Sequence, residues 1–312
     1  MKILVTGGAG FIGSHLVDRL LEKHDVVVID NLSTGLKENM NPKAIFYQEN
    51  LGDYKKIKEV FEKEKFDVIY HLAAQINVRK SVEDPIEDAK INILNTLNLL
   101  ELAVKYNVKH FIFSSTGGAI YGSSDKLPIP EIEEERPESP YGCAKLAIEK
   151  YLHFYNATYG LKFTALRYSN VYGERQNPRG EAGVVSLFFD KMFSGQNPII
   201  FGSGEQTRDY VYVKDVVEAN LLALNDKKSE IYNVATEVET SVLDVFNKVN
   251  HFFNNKFKPV FENLRKGEVM RNCLSYKKIN ENLGWTPKTD FDTGLKKCYE
   301  WYLSNRQASA GD

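Results

Sequence analysis

In the stretch SPYGCAK, 139–145, a tyrosine and a lysine stand four residues apart behind a proline. Proline can open a helix, so Tyr141 and Lys145 fall on one helical face. An unperturbed phenol titrates near pH ~10, so service as a base at neutrality requires a downward shift of about three units, or roughly 4 kcal/mol. One cation at ~4 Å supplies about that much at an effective dielectric of 20. Spacing alone is equally well met by a surface helix pair worth about 0.2–0.5 kcal/mol. A second run, FSSTGG at 113–118, carries Ser114, Ser115 and Thr116 at the end of an apolar segment. Hydroxyls at the carboxyl edge of an open α/β sheet lie where ligands bind, and one of them can share a hydrogen bond with the oxygen that a tyrosine deprotonates. Serines at strand ends are also common turn formers.

A second site is written near the N-terminus. In TGGAGFIGSHLVDRLL the glycines fall at 7, 10 and 13, between an apolar run that reads as a strand and an amphipathic run that reads as a helix. This GxxGxxG spacing is a variant of the dinucleotide fingerprint, in which glycine serves a tight turn, close approach of a pyrophosphate to backbone N–H groups and helix-on-strand packing. The helix N-terminus then forms the anion site. Asp30 closes the next apolar run, near the ~20-residue offset of the acid that accepts from ribose hydroxyls. A carboxylate there repels a 2′-phosphate, and the following NLSTGLK offers one distant lysine and no arginine, which favours NAD over NADP. With NAD bound, the positive ring joins Lys145 in lowering the phenol. Asp53 fits two roles equally, acceptor for an adenine amine or N-cap of the next helix.

The elements that must position these residues alternate in the first half. Short apolar runs at 3–5, 26–29, 44–47, 68–71, 111–113 and 163–166 read as strands, with helices at 12–23, 53–64, 86–106 and 140–159. Such alternation specifies an α/β fold, a Rossmann-type doubly wound parallel sheet with helices on both faces. After residue 170 the pattern loosens into glycine- and proline-punctuated loops. We therefore expect an NAD-binding domain over 1–170 and a smaller C-terminal substrate-binding lobe over 171–312. The chain should rejoin the first domain at about 213–238, where 231–234 reads as one more strand, and end in helices near 275–304. The acidic run EIEEERPE, 131–138, reads as a solvated loop and KKIKEVFEKEK, 55–65, as an exposed helix face.

Composition narrows the function. Forty Lys and Arg against forty-two Asp and Glu give a net charge of −2, interleaved in sign, with no patch for nucleic acid or an anionic membrane. Cys143, Cys273 and Cys298 form no CxxC pair, which argues for buried free thiols in a reducing, cytoplasmic setting. The six histidines lack metal-ligand spacing. His71, at a strand end, reads as a packing or hydrogen-bonding residue. No run approaches the ~18 apolar residues of a membrane span, and the broken apolar N-terminus is too short for a signal peptide.

Together TGGAGFIG, Asp30, HLAA at 71–74, SST at 114–116, Tyr141-x-x-x-Lys145 and RYSNVYG at 167–173 resemble the extended short-chain dehydrogenase/reductases. FGSGEQTRDYVYVKDV at 201–216, RKGE at 265–268 and LGWTP at 283–287 are similar to its nucleotide-sugar epimerase and dehydratase branch. The motifs span nearly the whole chain. The resemblance implies 4-epimerisation of a UDP-sugar, with tightly bound NAD taking hydride from C4 and returning it to the other face of a 4-keto sugar. It implies that Tyr141 is the base, that Lys145 holds the nicotinamide ribose and lowers the phenol, and that Thr116, or alternatively Ser115, is the assisting hydroxyl.

The cofactor set implied in the same way is Gly7, Gly10, Phe11, Ile12, Gly13, Asp30, Asn31, Ser33, Thr34, Gly35, Asp53, Leu72, Ala73, Ala74, Asn92, Ser114, Tyr141, Lys145 and Tyr168. The substrate set is Thr116, Asn170, Val185, Phe201, Arg208, Arg265 and Glu268. Arg208 and Arg265 suit a diphosphate, Phe201 can stack on uracil and Glu268 can accept from a ribose hydroxyl. Arg208 beside Asp209 also fits a structural ion pair. Ser169 stands where many relatives carry an aromatic residue. A 4,6-dehydratase carries an acidic pair after the active-site threonine, where this chain has Gly117 and Gly118, and UDP-glucuronate decarboxylases carry a glutamate in that loop. A cofactor sensor without turnover tends to lose the tyrosine or lysine, and both are present. Near the position that gates N-acetyl groups stand Asn272 and Cys273, which predicts tolerance of an N-acetylhexosamine; glucose, N-acetylglucosamine and glucuronate all stay open. A homodimer through 86–106 and 140–159 is the expected assembly.

Overall fold

The computed structural model describes residues 1–178, 183–264 and 269–309. In chain order the elements are β1 (Lys2–Thr6), α1 (Phe11–Leu20), β2 (Asp25–Ile29), β3 (Ile45–Tyr47), α2 (Tyr54–Glu64), β4 (Val68–His71), α3 (Val78–Glu83), α4 (Pro85–Ala89), α5 (Asn95–Lys105), β5 (His110–Thr116), α6 (Gly117–Ile120), α7 (Pro140–Tyr159), β6 (Lys162–Tyr168) and β7 (Asn170–Tyr172). There follow α8 (Val184–Phe193), β8 (Ile199–Phe201), β9 (Thr207–Tyr212), α9 (Val213–Ala223), β10 (Glu230–Val234), β11 (Glu239–Ser241), α10 (Val242–His251), β12 (Val260–Glu262), β13 (Arg271–Asn272), α11 (Lys277–Leu283) and α12 (Phe291–Ser309).

Seven strands form one sheet in the order β10-β6-β5-β4-β1-β2-β3, every pair parallel. The chain builds outward from β1 to β3, then crosses back to β4, so the order reverses between β1 and β4. A doubly wound sheet binds its ligand at the carboxyl ends beside such a reversal. Side chains alternate across the sheet as a period of two demands. Leu4, Val27, Ile69 and Phe111 pack on one face with Ile57, Phe61, Leu99 and Leu152 from α2, α5 and α7. Ile3, Val28, Val68 and Ile112 pack on the other with Leu16, Val17 and Val216 from α1 and α9. The strand at 230–234 joins this sheet at its edge beside β6.

The remainder forms a lobe whose sheet is β11-β9-β13, with β7 also paired to β9. Phe188, Phe189, Tyr210, Tyr212, Val245 and Leu295 fill its core. Differences from the sequence reading have local causes. The segment expected as one helix over 86–106 is interrupted, since α4 and α5 are joined by a π-turn at Lys90–Leu94. The run 131–138 is not simply solvated: Glu135 pairs with Arg167 at 2.8 Å and Glu131 accepts from the Asn233 N–H at 2.7 Å. Cys273 and Cys298 are buried free thiols, but Cys143 is exposed on α7.

Candidate active site

Gly7 follows β1 with φ +73°, the left-handed region where only glycine is unstrained. A Cβ there would lie 2.7 Å from the Ala73 N, and one at Gly13 would lie 2.1 Å from the Gly7 carbonyl oxygen. The missing side chains thus bring the loop after β1, the residues after β4 and the start of α1 together. Gly10 is the N-cap of α1 and gives it no side-chain cap, so the first-turn N–H groups are available for an anion. The side chains of Phe11 and Ile12 pack inward. Asp30 accepts from the Ala9 N–H at 3.0 Å through Oδ2 and from the Leu32 N–H at 2.8 Å through Oδ1. Burial pushes this carboxyl up, and those backbone bonds oppose the push. The Leu36 N–H donates to the Ala9 carbonyl, closing the loop that carries Asn31, Ser33, Thr34 and Gly35. An uncapped helix start, a glycine cradle and an acid at the second strand fit a dinucleotide pyrophosphate and ribose.

Ser139 caps α7 by accepting from the Gly142 N–H at 3.1 Å, and Pro140 opens the helix. Tyr141, half-buried, donates its backbone N–H to Ser81 Oγ at 3.3 Å. Lys145 is buried, donates to the Ser114 carbonyl oxygen at 2.7 Å, and lies 4.7 Å from the Phe113 ring centroid and 5.8 Å from that of Tyr141. The ammonium is therefore fixed beside the phenol by a strand carbonyl. A Cβ at Gly142 would meet the Ala119 carbonyl oxygen at 2.4 Å. Glycine there lets α6, and with it Thr116, approach the start of α7.

Alternation along β5 separates the three hydroxyls. Ser115 faces α7 and donates to Glu149 at 2.5 Å. Its hydroxyl is thus committed to a buried carboxylate, whereas Thr116 ends the strand at its carboxyl edge. Ser114 Oγ donates to the Tyr168 hydroxyl at 3.2 Å, and that phenol also bonds to Asn220. Tyr168 lies within the core, pushed up to about 12 by burial, so its ring packs under the sheet. Asn92, expected to line the pocket, is buried. Its amide donates to the Gln75 carbonyl and to Asp88 and accepts from the Gln75 N–H, at 2.8 to 2.9 Å. Asp53 caps α2 by accepting from the Lys56 N–H at 3.2 Å through Oδ1, so the capping one of its two open roles is realised.

His71 organises the same edge. Thr96 Oγ donates to the Asn92 carbonyl, so it accepts from His71 Nε2, and Thr6, which accepts from the Ala73 N–H, donates to His71 Nδ1. Burial and the charge of Lys145 hold this imidazole down to about 3, neutral. One polarised chain thereby joins the end of β1 to the π-turn.

On the lobe side, register places Asn170 beside Tyr210 and Asn272 beside Arg208, on one face of β9. Asp209 points to the other face and accepts from Thr236, Glu237 and Leu274 N–H groups, so these backbone donors surround its carboxyl. Ser169 also donates to it. Val185 is buried in the lobe core, in the first turn of α8, which has no side-chain cap. Phe201 ends β8, half-buried, with its carbonyl held by Gln206. A Cβ at Gly118 would lie 3.8 Å from Thr116 Oγ1 and 3.9 Å from Asn170 Oδ1, which puts both polar atoms at one opening. Asn170 Oδ1 and Asn272 Oδ1 are buried with no partner among the described residues. Arg265 and Glu268 lie outside the described residues. Asp88, Gln75 and Ser81 escaped sequence reasoning; the i,i+4 spacing of Asp88 and Asn92 was the signal for the first.

Residues 3–235 match the model of the NAD dependent epimerase/dehydratase family. The chain belongs to this family. Its cofactor is NAD. A UDP-glucose 4-epimerase from Mycolicibacterium smegmatis is 39% identical over 98% of this chain and 100% of its own length. The crystal structure of a Thermotoga maritima UDP-glucose 4-epimerase with UDP-glucose superposes with a TM-score of 0.96 at 49% identity, covering 98% of this chain and 100% of that one. A Thermus thermophilus UDP-glucose 4-epimerase in complex with NAD gives 0.92 at 40% identity, covering 97% and 99%. Members of the NAD-dependent epimerase/dehydratase family thus share the whole architecture described above, seven-stranded sheet and lobe together. Among the described residues no helix is long and apolar enough to cross a membrane, and no group of three or more His, Cys, Asp or Glu is placed to hold a metal ion.

Proposed function

We propose that this family member inverts C4 of a UDP-hexose, interconverting UDP-glucose and UDP-galactose. The observation that carries the reading is the Lys145 ammonium, held on the Ser114 carbonyl beside the Tyr141 ring. A fixed positive charge favours the phenolate, which then accepts the proton of the sugar 4-hydroxyl. Thr116 steadies the same oxygen. NAD, when bound, supplies the hydride acceptor and donor at C4. Gly7, Gly10, Gly13, Asp30 and the first turn of α1 would hold it, and Arg208, Asn170, Phe201 and the backbone at Val185 would hold the UDP moiety. Arg265 and Glu268 complete that set by resemblance.

Dehydration is disfavoured because Gly117 and Gly118 offer no acid or base, and Leu274 already fills the space beside Gly117. Asn272 supports a second substrate, UDP-N-acetylglucosamine: it is smaller than a tyrosine, and its buried Oδ1 can accept from an amide N–H. We also propose a division into a cofactor unit, 1–170 rejoined by about 213–238, and a nucleotide-sugar lobe. A homodimer would form through the exposed faces of α5 and α7, where Ala147, Lys150, Tyr151 and Phe154 line an apolar depression. Purified protein should interconvert UDP-glucose and UDP-galactose without added cofactor, and Tyr141→Phe should lower kcat by about 10²–10⁴-fold. Inertness toward UDP-glucose, UDP-N-acetylglucosamine and UDP-glucuronate alike would end the reading.

A further inference from the structure

Asp88 lies on α4 and is 2% exposed. One carboxyl oxygen accepts from Gln75 Nε2 at 2.8 Å and from Asn92 Nδ2 at 2.9 Å. The other, Oδ2, is buried and meets no hydrogen-bond partner among the described residues. A buried acceptor left in this state is costly and calls for a reason. α4 packs against α7, the helix of Tyr141 and Lys145. Burial pushes the Asp88 carboxyl up, while Gln75, Asn92 and the charge of Lys145 pull it down. From β4 the same junction receives His71, neutral under burial and the charge of Lys145, and from α3 it receives the uncharged Ser81. α3, packed on both α4 and α7, also carries Arg79, Lys80 and Glu83, all exposed, while Lys145 is the charge that acts on both His71 and Asp88.

We propose that Asp88 is a positioning residue for the Tyr141–Lys145 pair: pinned by Gln75 and Asn92, its carboxylate offsets part of the Lys145 field and so sets the pH at which the Tyr141 phenol ionises. The proposal rests on the reading of Tyr141 as the base. Lysine and a cationic nicotinamide together lower the phenol; an opposing carboxylate keeps it from falling too far, and a base works best with a pKa near the operating pH. The anchoring also accounts for the bonds that the Asn92 amide makes to Gln75 and Asp88.

The test is the titration of Tyr141 in the NAD-loaded protein, followed by tyrosinate absorbance as the difference from Tyr141→Phe. It needs no turnover, so it stands or falls separately from the choice of sugar. Helices packed at about 8–10 Å bring a unit charge near enough to move a phenol by about half a pH unit or more. Asp88→Asn should lower the midpoint by at least that amount and shift the pH profile of kcat in the same direction. Gln75→Glu adds a carboxylate to the cluster and should raise the midpoint, giving a second reading where Asp88→Asn does not fold. Either variant melting like the parent with an unmoved midpoint overturns the proposal.

Discussion

Arg167 and Glu149 meet in the interior, 1% and 0% exposed in their side chains, with Nε and Nη2 of the arginine on both carboxylate oxygens at 2.6 to 3.3 Å. The pair ties β6 to α7, one turn beyond Lys145, and the same carboxylate accepts from Ser115 on β5. Arg167 also reaches the Tyr121 hydroxyl at 2.7 Å and Glu135 at 2.8 Å. A buried pair contributes little net stability against an apolar substitute, but removing one partner strands the other charge. Glu149→Ala should therefore cost about 3–5 kcal/mol in denaturant unfolding. Joint replacement, Glu149→Leu with Arg167→Met, should recover most of that loss, and a double variant as unstable as the single one would show that the contacts with Tyr121 and Glu135 dominate.

Thr116 and Ser115 should separate by what they affect. Ser115 donates to Glu149 inside the core, so Ser115→Ala loses one hydrogen bond to a charged group, about 1.5–3 kcal/mol of stability. Its kcat should stay within a few-fold of the parent. Thr116→Val keeps the shape and removes the hydroxyl, and should lower kcat by about tenfold or more with the melting temperature little changed. Steady-state kinetics and thermal unfolding on both proteins check this, and the reverse pattern would return the assisting role to Ser115.

Leu274 sits where a side chain on Gly117 would begin, with its Cδ1 2.1 Å from that Cβ position. Gly117→Ala should therefore be overpacked and lose about 1–3 kcal/mol. Leu274→Ala opens the space, so the double variant should be less destabilised than the two single losses added together. Gly118→Ala faces only ordinary contacts at 3.8 and 3.9 Å. That variant should fold like the parent and raise KM for the sugar nucleotide, measured beside its unfolding curve.

Much of this site was legible because its chemistry is local in the chain. Gly7, Gly10 and Gly13 sit in one turn, Asp30 ends the adjacent strand, and Tyr141 and Lys145 share a helix face. The period of two along β5 also carried the facing of Ser115, since residues 113 and 115 must face alike and Phe113 belongs to the core under α7. The long-range partners were hidden. PIEDAKIN reads as part of one helix, and the packing of α4 on α7 with the return of Gln75 buries Asp88. Nothing near Glu149 signals Arg167, eighteen positions on. Asp53 had two roles of equal local merit, and the structure shows the capping bond of one of them.

His71 and His110 make the fold sensitive to acid. Burial is the main cause for each, with the charges of Lys145 and Lys162 adding to it, and both rings are held down to about 3 from 6.5. The unfolded chain takes up these protons near pH 6.5 while the native protein does not. Their contribution is therefore complete above 6.5 and is lost as pH falls from there toward 3. Asp209 works against them: burial raises it from 3.8 to about 6, so its contribution is complete below 3.8 and is lost as pH rises through 6. His15 and His24, also lowered by burial, act with the two imidazoles, while Asp30, Asp88, Glu131 and Asp215, raised by burial, act with Asp209; where the imidazoles dominate, stability falls as pH drops below about 6.5. Urea unfolding at pH 6.5 and 5 should show lower stability at pH 5. His110→Gln should flatten that dependence by the share of one group, whereas an unchanged slope would mean that the native imidazole is already protonated at pH 5.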